Sequence, residues 1–516
     1  ASADQNFGPA TSAGAGGLNG LMVWKAANVA VENMTACNFL AGAGGNAGTS
    51  GGSGSTYITG NEFWWNGGYD SSTVGGYGFT GSYLTATSTY YDGTSAESRA
   101  SAAEYGIFSS NWSGGTWDHT YASNMNDSGL YIGACGQVCN QTIDQAWSEY
   151  NALGYSGSNS GGSLVVENSE FDNNEDGFDT NSQNGDNPPP QDGACPGNAV
   201  SPITHTHSCW VFMNNYVHDN NNPNVPTAGE AAAGPVGTGM SISGGRNDTV
   251  MGNTFANNGA WGTIIVPYPD HGAPCTGGQP DNLILGSGSC LYDPAGNAVI
   301  DNTYRNDGFF GNLTNGDFDQ VSLNGEPTNC FHGNTVPGGG LSPDAAALES
   351  DYPTCDGSTV PANLNLLFLD ETACDSQIAL IAGLPVPCLP IDNYPRATAV
   401  VMHSLPANLP TMPSPCVGVP ANPWCSGQAT IVSGCTASAH RRVALALALR
   451  ESFVSVSVRV GRGRPVTHRA HGRTTNVTVD LGSGHKRRRV IVQFLERIKV
   501  GGHPEKLSFT RVYRHC

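Results

Sequence analysis

The chain has 516 residues and a formal net charge of −20, yet only 12% of its residues are charged, while 69 are glycine. Its polarity comes from Asn, Ser, Thr and Gly, and 38% hydrophobic content in short regular runs excludes a disordered polyelectrolyte. Residues 1–439 hold five basic side chains (Lys25, Arg99, Arg246, Arg305, Arg396) against 38 acidic ones, which excludes nucleic acid as a partner of the body.

No apolar run approaches the length needed to span a membrane. Glycine-led apolar starts recur along the body at Gly106, Gly129, Gly154, Gly177, Gly239 and Gly262, at spacings of 23, 25, 23, 62 and 23. A second signature is an Asn followed two or three places on by an apolar residue, as at Asn61, Asn168, Asn253 and Asn302. A fixed period of short strands and polar turns predicts a solenoid of strands. Asn suits its turns because it tolerates left-handed backbone and can hydrogen-bond to its equivalents in neighbouring coils. Phe171, Phe178, Met240, Ile242, Phe255, Ile264 and Tyr304 are expected to point into one continuous core. The segment Ile143 to Tyr150 is the nearest approach to an amphipathic helix, and it is assigned to strand.

The stretch Asn173 to Ser182 carries Glu175, Asp176 and Asp179 within five positions. If Gly177 opens a strand, Phe178 points inward and Asp179 outward, so three oxygen-donor side chains crowd one edge. Carboxylates so close repel unless a proton or a cation lies between them, and a hard oxygen cluster suits calcium. The long interval after Gly177 holds Pro188-Pro189-Pro190 and a cysteine pair, as expected of one coil with a loop spliced in. His205 and His207, with His218 beyond, are candidate metal or acid/base groups if they lie on strands. Trp64, Trp65, Trp112, Trp117, Trp147 and Trp210 are candidates for stacking on sugars where exposed.

The period fades near Pro337. Residues 341–428 are expected to form a Pro-rich, disulfide-looped cap on the solenoid of residues 1–340, with one helical turn near Asp344 to Glu349. The 15 cysteines point to an oxidising, extracellular compartment, and the opening Ala1-Ser2-Ala3 is that expected of a mature secreted product. Short loops are expected at Cys135/Cys139, Cys195/Cys209, Cys275/Cys290, Cys330/Cys355, Cys374/Cys388 and Cys416/Cys425. Cys435 and Cys516 would bracket the tail, leaving Cys37 alone. Residues 440–516 hold 17 basic side chains against four acidic ones, and alternate apolar and polar residues at Val454 to Val460 and Thr475 to Asp480. Residues 429–516 are therefore expected to be a small antiparallel β-sandwich, able to contact an anionic cell wall.

Coils of short strands, Asn turns and local cysteine pairs resemble a right-handed parallel β-helix of the pectate-lyase-like kind, over residues 18–340. Within it, Glu175-Asp176-Gly177-Phe178-Asp179 is similar to the Asp-Asp-Gly-aromatic-Asp segment of family 9 polysaccharide lyases. That resemblance implies an all-β fold, a polysaccharide substrate, and calcium held by Glu175, Asp176 and Asp179, with Asn151 one coil earlier in place of the family's fourth ligand. It also implies a lysine that removes a proton from a uronic-acid residue. The matching segment is Gly237 to Gly245, and the lysine position is Ser241. Elimination needs a base and a cation, so Arg246 and Arg305 are the remaining candidates for the base. Two alternatives stand beside calcium-dependent elimination. One is a non-catalytic carbohydrate-binding protein. The other is a glycoside hydrolase using carboxylates among Asp172, Glu175, Asp176, Asp179, Asp317 and Asp319.

Overall fold

The computed structural model describes residues 102–409 apart from 111, 136–137, 185–189, 273, 324–327, 359–364 and 381–382, together with 80–88, 91 and separate strands on either side. Three long parallel sheets wind through the body. The first has ten strands, among them Leu153–Ser158, Asp176–Asn181, Thr238–Ser243, Trp261–Val266 and Gly316–Gln320. The second includes Leu164–Glu167, Trp210–Met213 and Asp248–Met251; the third includes Trp147–Glu149, Glu170–Asp172, Tyr216–His218 and Thr303–Arg305. From Thr80 onward each coil gives one short strand to each sheet, so the body is a parallel β-helix.

Register shows the coils stacking level by level. Tyr155 pairs with Phe178 and Phe178 with Met240; beside them Ser156 pairs with Asp179 and Asp179 with Ser241. The 62-residue interval is a single coil, because Trp210–Met213 pairs with Leu164–Glu167 and Tyr216–His218 with Glu170–Asp172. Its extra length lies at two corners, in loops before Trp210 and after His218.

The recurring glycines stand directly over one another. A Cβ placed on Gly177 would meet the Gly239 carbonyl oxygen at 2.5 Å and Val217 Cγ1 at 2.9 Å. Nothing there can retreat, because both neighbours belong to the solenoid wall. Gly177→Ala should therefore cost about 1–3 kcal/mol by overpacking, whereas Gly340→Ala, with nothing within 4 Å, should be near neutral. Denaturant midpoints of the two variants check this; equal midpoints would contradict the stacking.

Asn plays two parts in the turns. At Asn140, Asn168, Asn214, Asn247, Asn257 and Asn306 it takes left-handed backbone. Elsewhere it forms buried ladders: Asn151, Asn174, Asn220 and Asn258 pass an amide hydrogen bond from each to the next, ending on Asp307. A second ladder runs Asn215, Asn253, Asn302, Asn334 and ends on Glu349.

Phe171, Phe178, Met240, Ile242, Phe255 and Tyr304 share the interior core as expected. Ile264 does not. It pairs with Ser241, an outward position, and packs with Trp261, Val266, Phe368 and Tyr394. The run from Trp261 to Val266 is apolar on both faces because the cap covers its outer side, so alternation could not separate in from out.

The cap holds two helices, Pro343–Asp351 and Leu366–Ser376. The expected helical turn is longer than the sequence implied, and the second helix is new. The Asp317 carboxylate accepts from the Ser342 N–H at the first helix while the Asp317 N–H donates to the Ser342 hydroxyl, and Asp319 accepts from Asn365, which caps the second. These two carboxylates, candidates for hydrolysis, fasten the cap. All five cysteine pairs within the described residues close as expected. Cys37, Cys416, Cys425, Cys435 and Cys516 lie outside those residues. Ala1–Thr411 and Met412–Cys516 separate as two compact units. In the second, the described strands are antiparallel, in sheets of two and four strands.

Candidate functional site

The acidic stretch lies where the chain enters the first sheet. Glu175 and Asp176 donate their backbone N–H groups to the carbonyls of Asn151 and Ala152 one coil below. Phe178 then turns inward and Asp179 outward. Asp176 is fully buried; its carboxylate accepts from Ser241 Oγ at 2.9 Å and from the Phe178 N–H at 3.2 Å. Asp179 is half-buried and accepts from Ser243 Oγ at 3.2 Å. Glu175 is buried, and its Oε2 has no hydrogen-bond partner.

The cap adds two charges to this group. Asp375, on the second helix, and Arg396, on the strap beyond it, form an ion pair at 3.6 Å and both act electrostatically on Glu175. Arg396 also donates to the carbonyls of Asp375 and Cys374 at 2.6 and 2.7 Å. Glu175 and Asp375 thus share one guanidinium, while Asp176 lies in the field of Asp179. Burial pushes Glu175, Asp176 and Asp375 well above the usual carboxylate range, with neighbouring carboxylates adding to the effect on the first two. Burial also pushes Asp179 up to about 7 against the hydrogen bond from Ser243. At the rim, Tyr268 donates to Glu230 at 3.0 Å and stands near enough to Asp179 to feel its charge.

The other sequence candidates are dispersed. Asn151 contributes nothing from its side chain, because its amide accepts from Met125 N and donates to Asn174 and Ser148 within the ladder. Ser241 does lie against Asp176, but its hydroxyl is the donor in that bond. Arg246 sits at the corner toward the second sheet, where its Nε meets the Asp293 carbonyl at 3.4 Å. Arg305 is exposed at the end of a third-sheet strand. His205 and His207 are exposed loop residues, the former in left-handed backbone. Trp117 and Trp210 are core, Trp112 and Trp147 half-buried; the side chains of Trp64 and Trp65 lie outside the described residues.

The third sheet gathers a group that the sequence reading mostly missed. Glu149, Asp172 and His218 align on successive strands, with Glu170 beside them. Tyr121 donates to Glu149 and Trp147 Nε1 to Asp172, each at 2.7 Å. Burial raises Glu149 to about 7 and Asp172 to about 6. The signal was available: Glu149 and Asp172 are 23 residues apart, the period of the glycines.

These raised carboxylates fix the sign of the pH dependence. Asp179, Glu149 and Asp307 at about 7, and Asp172 at about 6, all stand above their unfolded value of about 4. Between those limits the folded chain keeps protons that the unfolded chain releases, so stability falls as pH rises from about 4 to about 7. In chelator, the melting temperature should be several degrees higher at pH 5 than at pH 8. Equal values, or the reverse order, would contradict the buried placement of these groups.

No protein-family model, no curated protein and no solved structure matches the chain.

Proposed function

We propose that this protein binds a polysaccharide at the outer face of the first sheet, through a calcium ion held by Glu175, Asp176 and Asp179. The observation that carries the reading is the buried, unpartnered Oε2 of Glu175 beside Asp375 and Asp176, the latter in turn beside Asp179. One guanidinium leaves that group short of positive charge, and calcium takes six to eight hard oxygens of this kind. Bound there, the ion would attract acidic or hydroxyl oxygens of a sugar.

The chain's own residues do the positioning. Ser241 and Ser243 orient Asp176 and Asp179, and the ion pair of Asp375 with Arg396 closes the side toward the cap. Ser156, Ser158, Asn181 and Ser243, all largely buried, continue a row of hydroxyl and amide groups along the same strands. Binding is favoured over elimination because no candidate base is free beside Asp176. Ser241 gives its proton to that carboxylate, while Arg246 and Arg305 belong to other corners of the coil. Five local disulfides are compatible with an extracellular setting. The basic residues after 440 would favour contact with an anionic cell wall.

Affinity electrophoresis of the full chain through gels holding single polysaccharides tests this, with calcium and with chelator. Retardation by at least one acidic polysaccharide should require calcium and disappear in Asp179→Asn. Ultraviolet absorbance of an unsaturated product would overturn the non-catalytic reading. Absence of retardation across the panel would overturn the binding reading.

A further inference from the structure

The third-sheet cluster has a different chemistry from the first-sheet carboxylates, because it includes an imidazole. Glu170, Asp172 and His218 each offer one ligand atom, and these atoms all lie within 4.8 Å of one another. His218 Nε2 is 3.0 Å from Glu170 Oε1. Its other nitrogen, Nδ1, is 2.7 Å from the carboxylate of Asp219, which left-handed backbone at the strand end turns back onto the ring. Asp172 is held in turn by Trp147 Nε1 and by the Asn173 amide.

We propose that Glu170, Asp172 and His218 form a site for a first-row divalent ion of the zinc type, with Asp219 orienting the histidine. Zinc takes His nitrogen and carboxylate oxygen at about 2.0–2.2 Å, so neighbouring ligand atoms in a tetrahedron lie about 3.4 Å apart. The observed atoms need only small side-chain rotations to reach that spacing. A ligating histidine almost always gives its other ring N–H to a carboxylate or carbonyl, and Asp219 stands in that place. Three protein ligands leave a position open. It faces solvent, since the side chains of Glu170 and Asp219 are each 46% exposed. Tyr216, stacked 3.9 Å from the His218 ring and itself exposed, flanks the opening as an apolar platform for a bound molecule. The imidazole sorts the two clusters by metal: hard oxygens alone suit calcium, and mixed nitrogen and oxygen suit zinc.

The test is calorimetric titration of zinc into the chelator-stripped full chain, held in saturating calcium so that the first-sheet carboxylates do not contribute. One zinc per chain is expected, with a matching visible spectrum when cobalt replaces it. His218→Ala and Glu170→Gln should each weaken binding at least about a hundredfold. Asp219→Asn should weaken it about 10–100-fold, the usual effect of removing an outer-shell partner. Asn282→Ala, in an exposed loop away from the cluster, should leave zinc affinity unchanged. Glu170 is half-exposed, so its variant folds even if another does not. No zinc binding by the wild type, or binding that His218→Ala and Glu170→Gln leave intact, would overturn the site.

Discussion

Asn220→Leu is expected to lower the unfolding free energy by about 3–5 kcal/mol, the largest effect of any single substitution considered. Asn220 accepts from the backbone N–H of Asn174 at 3.2 Å and from its amide at 3.0 Å. It donates to the Phe171 carbonyl at 3.1 Å and to Asn258 Oδ1 at 3.2 Å. Leucine removes all four bonds, each worth about 0.5–1.5 kcal/mol net, and leaves the Asn174 N–H buried without this acceptor. The damage is not confined to one coil, since Asn174 and Asn258 hold the next rungs in each direction. Guanidinium unfolding followed by circular dichroism measures it, with Asn282→Ala as control. Asn282 is exposed and makes one side-chain bond, to Pro280, so its loss should stay within about 0.5 kcal/mol. Comparable values for the two variants would mean that the ladder carries no stability.

The second large effect concerns the cation. An ion that binds only the folded chain stabilises it by about 2.7 kcal/mol at a hundredfold excess over its dissociation constant. Asp176→Asn should abolish most of that gain. The same substitution should leave the metal-free protein no less stable, because it replaces a buried carboxyl, whose charging burial, Asp179 and Asp375 all oppose, with a neutral amide of the same shape. The opposite signs are diagnostic. A merely structural Asp176 would lower stability equally in calcium and in chelator. Melting temperatures of both proteins under both conditions decide between these outcomes.

Much of the fold was legible because its constraints are periodic. The glycines repeat where an added Cβ would strike the next coil, and the asparagines repeat where buried backbone needs partners. The local disulfides followed from short cysteine spacings alone. What escaped depends on contacts made far along the chain. Ile264 looked like core until the cap proved to bury the outer face of its strand. The helix Leu366–Ser376 sits among prolines and cysteine loops that mask its pattern, and its cap residue Asn365 is held by Asp319 from the solenoid.

The site was legible only as chemistry. Glu175, Asp176 and Asp179 advertise themselves by crowding, but nothing local indicates that Arg396 and Asp375 come from the cap to join them. Asn151 matched a ligand position by its place in the coil. The ladder takes its amide instead, a competing use that the same periodicity predicts for every buried Asn in the turns.

Calorimetric titration of calcium into the chelator-stripped full chain tests the first-sheet site most directly. Wild type should bind one ion saturably, and Asp179→Asn should show little or no heat under the same conditions. A wild-type titration without heat, at protein concentrations well above the range of ordinary calcium-site dissociation constants, would contradict it.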